Sequence, residues 1–108
     1  MGDRRNVVVT GRGSRVFLFT HADGTELPRV VQEVLRRKQR WTDPAYLGRM
    51  LFQGMVGGDQ SELGYGVSSV QQNSNHDDVL VDTDKQEVTI GARTWTFEKF
   101  CTARLGGG

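Results

Sequence analysis

Val16-Phe17-Leu18-Phe19 is followed by the polar stretch Thr20-His21-Ala22-Asp23-Gly24, and then by apolar residues at Leu27, Val30, Val31, Val34 and Leu35. This succession constrains the chain more than any other. Four consecutive apolar residues, mostly β-branched or aromatic, suit a strand buried on both faces. The spacing that follows, i, i+3, i+4, i+7, i+8, gives a single apolar stripe along a helix. Strand, polar turn and amphipathic helix are therefore consecutive, and the remaining elements are expected to pack on this unit.

Val7-Val8-Val9 predicts a short strand ahead of it, joined as a hairpin through Gly11-Arg12-Gly13-Ser14. Gly11 and Gly13 begin the spacing of a dinucleotide-binding loop, but Val16 stands where the third glycine belongs and a strand follows in place of a helix. That reading is set aside. Thr25 is the expected N-cap of a first helix over 26–38, in which Pro28 occupies a first-turn position that needs no N–H. Thr42-Asp43-Pro44 starts a second helix with the stripe Leu47, Met50, Leu51 and Met55. The short link predicts an antiparallel helical hairpin. Strands are expected over 65–71, 79–81, 87–90 and 94–97, with Trp95 and Phe97 on one face of the last, and a closing helical turn over 98–102. The sum is one α+β domain over 1–108 with flexible ends at 1–5 and 103–108. It has two layers, a mainly antiparallel sheet of five or six strands carrying an α-helical hairpin on one face, in the order ββααββββ.

A chain of 108 residues can bury a conventional core without disulfides or metals, and a hydrophobic content of 36% with 25% charged residues is that of a soluble domain. The lone Cys101 excludes an internal disulfide framework and fits a reducing, cytoplasmic location. Its place beside Phe100 reads as a small buried hydrophobe, not a nucleophile. No apolar run is long enough to span a bilayer, so no membrane association is expected. The net charge of +1 conceals a division. Residues 1–50 hold ten Lys/Arg against five Asp/Glu, and residues 51–108 hold four against eight. The halves should attract each other, which argues against a uniformly basic nucleic-acid binder.

Phe19-Thr20-His21-Ala22-Asp23-Gly24 with Leu27-Pro28, then Gly64-Tyr65-Gly66-Val67, His76-Asp77-Asp78 leading into Val79-Leu80-Val81, and Trp95-Thr96-Phe97-Glu98-Lys99-Phe100 together carry a resemblance. The chain resembles a family of small uncharacterised proteins of phages, prophages and bacteria, whose opening motif runs aromatic, Arg, His, Trp, Asp, Gly, Tyr, Pro ahead of a helix. Thr20 and Ala22 depart from that motif's Arg and Trp. The resemblance implies an α+β fold and a phage or mobile-element setting. It implies no particular activity.

Three sets of residues are candidates for function. Trp41 and Tyr65, with the exposed side of the closing strands, could present a protein-binding surface or a self-association edge, because a small open sheet leaves backbone groups unpaired at its edges. The bland alternative for Trp41 is a cover for the corner between the helices. Arg36, Arg37 and Arg40, joined by Arg4, Arg5, Arg12 and Arg15 if the hairpin points the same way, could contact phosphates; the alternative is a solvated face. His21 with Asp23, and His76 with Asp77, could hold a divalent metal or act as an acid/base pair if the two turns converge, although these are also ordinary turn residues. The expectation is a non-enzymatic, cofactor-free accessory protein that binds a host or phage protein or forms a homodimer. Nucleic-acid binding and a metal-dependent enzyme or sensor are the alternatives.

Overall fold

A computed structural model of the chain describes residues 3–21, 24–57 and 64–105. β1 (Arg5–Gly11) and β2 (Ser14–Thr20) pair antiparallel over their full length, from Arg5 opposite Thr20 to Gly11 opposite Ser14. The two turn residues, Arg12 and Gly13, both have positive φ, 51° and 78°, the backbone that matches the twist of the flanking strands. A 3-10 turn at Gly24–Glu26 leads into α1 (Leu27–Arg36), and α2 (Pro44–Val56) follows. Then come β3 (Tyr65–Ser68), β4 (Val79–Asp82), β5 (Glu87–Ile90), β6 (Arg93–Thr96) and α3 (Phe97–Thr102). The class and the order ββααββββ are those expected, and the closing turn is a short third helix. Phe97 begins that helix and does not continue the strand.

The strand order is β3-β2-β1-β4-β5-β6. Four of the pairings are antiparallel, but β1 and β4 run parallel, with Val7 opposite Val79 and Thr10 opposite Asp82. β3 and β4 are therefore not neighbours, and the chain between them must cross β2 and β1. Asn6 ties that crossing down. Although no part of it is exposed, Asn6 donates from Nδ2 to the Gln72 carbonyl (2.9 Å) and to Asp78 Oδ1 (3.2 Å), while its Oδ1 accepts the Gln72 N–H (3.2 Å). Val7 and Val9 point into the helix-covered core, so Asn6 and Val8 face the other way, where Val8 and Phe17 are buried too, with the Arg15 guanidinium 5.4 Å over the Phe17 ring.

The core lies between the sheet and three helices. Leu27, Val31, Val34 and Leu35 of α1 meet Leu47, Leu51 and Met55 of α2 over Val7, Val9, Val79 and Val81. At its N-terminus α2 follows expectation, Asp43 Oδ1 accepting the N–H groups of Ala45 (3.1 Å) and Tyr46 (3.2 Å). α1 does not. Its N-cap position is Glu26, which makes no side-chain cap, and the Thr25 N–H is taken by Asp3.

Six residues are too few to hold a helix alone, so α3 depends on its packing. Phe97 and Phe100 are buried, each flanked edge-on by a tryptophan, Trp41 at 5.4 Å and Trp95 at 5.2 Å. Side chains of α1 satisfy the carbonyls at its end: Gln32 Nε2 donates to Phe100 (2.9 Å) and Ala103 (2.8 Å), and Arg36 Nε to Cys101 (2.7 Å). The tail expected to be loose is thus held at Ala103, and Leu105 packs against the core. At the other end, Arg5 is a buried member of β1 instead of part of a loose start.

Replacing Asn6 by Ala strands both backbone groups of Gln72. Urea denaturation of Asn6→Ala is expected to show a loss of about 1–3 kcal/mol with an unchanged m value. The exposed Asn73→Ala, one residue beyond the tie, should stay within about 0.5 kcal/mol of the parent.

Candidate functional site

The start of β1 joins three parts of the chain. Asp3 accepts the Gly24 N–H on its carbonyl (2.8 Å) and the Thr25 N–H on Oδ2 (2.9 Å), and its Oδ1 pairs with His76 Nε2. Hydrogen bonds from the Thr25 side chain and backbone, then from His76, hold the Asp3 carboxyl at about 2, below its ordinary 3.8. Arg5 donates from Nε to the Asp77 carbonyl (2.8 Å) and from Nη1 to the Gly24 carbonyl (3.2 Å). Gly24 is required here by close approach, since a Cβ would lie 2.7 Å from the Asp3 carbonyl oxygen.

The two histidines do reach the same end of the sheet. Thr20 pairs with Arg5, and the Asn75 N–H donates to the Arg4 carbonyl (2.9 Å), so His21 and His76 lie beyond β1 on its two sides. Their environments differ from the expected quartet. His21 packs edge-on to Phe19 at 5.6 Å and its N–H donates to the Gly64 carbonyl (3.1 Å). His76 is taken by Asp3, not by Asp77, whose carbonyl serves Arg5. Asp23 lies outside the described residues. Among the described residues, no three His, Cys, Asp or Glu side chains gather around a common point where a metal ion could sit.

The basic end of α1 is also divided. Arg36 is bonded to the Cys101 carbonyl, the Arg40 guanidinium lies 4.6 Å over the Tyr46 ring, and Arg37 is exposed. Arg5 stands beside the first turn of α1, away from this cluster, because the hairpin sets it against Gly24. Trp41 is half-buried, donates from Nε1 to the Leu35 carbonyl (3.1 Å) and packs edge-on against Phe97 of α3. Burial pushes the Cys101 thiol up, which keeps it protonated and unreactive.

Two surface features remain. One is a cleft of about 480 Å³ beside the first turn of α1, between the β5–β6 hairpin and residues 104–105. Arg5, Arg29, Arg93 and Arg104 line it, with Glu26 as the only carboxylate among its described residues. These arginines come from four separate places in the chain, so no spacing in the sequence announces them. The other is the edge at β3. Among the described residues β3 pairs only with β2, and Tyr65, half-buried, stands opposite Thr20. Gly66 lies under the Phe19 ring, where a Cβ would meet Cζ at 2.2 Å, and this contact fixes the register. Beside it Val67, 58% exposed, forms one wall of a mostly apolar groove of about 360 Å³ with Val16, Pro44, Ala45 and Phe52, and Arg49 at its rim.

Set against family models, curated proteins and solved structures, the chain has no match in any of the three. No helix among the described residues is long and apolar enough to cross a membrane.

The depressed Asp3 pKa sets an acid limit on the joint it holds. A carboxyl lowered from 3.8 to about 2 contributes stability that is fully present above pH 3.8 and is lost as pH falls through about 2. Denaturation of the parent and of Asp3→Asn across this window is expected to show the parent's advantage shrinking towards pH 2.

Proposed function

We propose that this chain is a small accessory protein that works by binding another protein, host or phage protein or a second copy of itself, through the β3 edge and the groove beside it. The setting is a phage or mobile element, as the family resemblance implies, and the lone Cys101 supports a reducing cytosol as the location. The observation that carries the reading is Val67: a β-branched residue, 58% exposed, on an edge strand and over a mostly apolar groove. A strand paired on one side only offers backbone groups to an incoming strand, and a neighbouring groove receives that strand's alternate side chains. Among the described residues β3 is paired on one side only, and Gly66-Val67-Ser68 carries none of the charges that ordinarily protect such an edge from aggregation. The divided basic cluster favours this reading over nucleic-acid binding, since Arg36 is bonded within the fold to the Cys101 carbonyl.

Val67→Lys puts a charge into the contact without touching the core. The expected result has two parts: a partner with the parent, seen as a doubled mass by light scattering or as one stoichiometric protein from nuclease-treated bacterial lysate, and its loss with Val67→Lys. The melting temperature should move by no more than about 2 °C, as for a surface substitution. A monomer that retains nothing, or a partner held equally by both proteins, would overturn the proposal.

A further inference from the structure

We propose that the cleft beside the first turn of α1 is a binding site for a small organic phosphomonoester. The inference rests on a different surface from the β3 edge and stands or falls separately from it. Its starting point is uncompensated charge. Among the described residues, Arg29, Arg93 and Arg104 form no salt bridge, yet all three border one concavity. Guanidinium groups gathered around one concavity repel one another until an anion joins them. Arg5 forms the back of the site, buried and fixed by the Gly24 and Asp77 carbonyls, so its charge is present without a side-chain search. Asp77, Asp3 and Asp78 act on Arg5 from behind, and Glu26 offsets one of the other three, which leaves an excess of about two charges at Arg29, Arg93 and Arg104.

The remaining excess calls for a dianion more than a single carboxylate. A phosphomonoester carries about −1.5 to −2 at neutral pH and offers three acceptor oxygens, which suits several arginine forks approaching from different directions. The first turn of α1 adds to the field, because the positive end of a ten-residue helix opens on the cleft without a side-chain cap.

The other half of the cleft is apolar. Pro28, Ile90, Trp95 and Leu105 line it, and at about 480 Å³ the space exceeds what a bare phosphate would fill. Arg93 connects the halves. Its guanidinium lies 4.7 Å over the Trp95 ring, which holds the charge at the boundary between the cationic rim and the apolar floor. A ligand with a phosphate at one end and a flat or aliphatic body at the other matches this division.

Calorimetric titration of the full chain with phenyl phosphate, inorganic phosphate and benzoate tests the proposal, with tryptophan fluorescence as a second readout from Trp95. Phenyl phosphate is expected to bind saturably, one per chain, and about tenfold or more tighter than either half-probe, the gain expected when both halves of the cleft are used. Arg29→Gln and Arg93→Gln, both at exposed positions, should each weaken it by about tenfold or more, the loss expected of a charged hydrogen bond. Arg37→Gln, beyond the opposite end of α1, should leave it unchanged. The proposal is overturned if no probe saturates below about 5 mM, where affinity is worth little more than weak association. Equal binding of benzoate would overturn the phosphate, equal binding of inorganic phosphate the organic body, and equal weakening by Arg37→Gln the site itself.

Discussion

β1 is enclosed on four sides, and the rest of the molecule is arranged to enclose it. Antiparallel β2 takes one edge and parallel β4 the other, the helices cover one face and the crossing segment the opposite face. The parallel pairing is the decisive constraint. Antiparallel neighbours can be joined by a tight turn, whereas β4 can lie parallel to β1 only if the chain returns to the end where β1 begins. That return delivers His76, Asp77 and Asp78 to Asp3, Arg5 and Asn6. The joint at the base of the sheet is a consequence of strand direction before it is a matter of side-chain chemistry.

The same arrangement gives the charge division of the chain a location. The basic first half and acidic second half meet along β1: burial lowers the Arg5 pKa and Asp77 and Asp78 of the second half, with Asp3, oppose that shift, while at the far end of the hairpin the Asp84 carboxylate accepts the Arg12 backbone N–H at 3.2 Å. These are partly exposed contacts whose individual contributions are small, so their value lies in fixing which ends come together. Of the cleft arginines, Arg29, Arg93 and Arg104 form no salt bridge among the described residues.

Periodicity made the local elements legible. The β2 run and the α1 stripe, the Asp43-Pro44 helix start and the two-residue turn at Arg12-Gly13 each follow from a pattern within one stretch of chain. What depended on distant residues was not legible. Nothing in Tyr65–Ser68 says that it pairs with β2 instead of β4, and nothing near His76 says that Asp3 will take it, because both are settled by topology. Two expectations about the ends failed for the same reason: Arg5 and Ala103 look terminal in sequence but are bound by residues 72 and 71 positions away. The cleft was invisible on the same grounds, its arginines carrying no common spacing.

The separation between β1 and β4 also has a meaning in time. Val7 and Val79 are paired, yet 72 positions separate them in the chain. A ribosome adding about 5–20 residues per second delivers β4 roughly 4–14 s after β1. The β1–β2 hairpin and both long helices are complete by then, while the second edge of the central strand, Val7-Val8-Val9, is still without its partner. A pairing of such separation must close a long loop, and non-local pairing of this kind forms more slowly than hairpins or helices. The interval in which it is vulnerable to mispairing is set at the middle of its sheet, not at its rim.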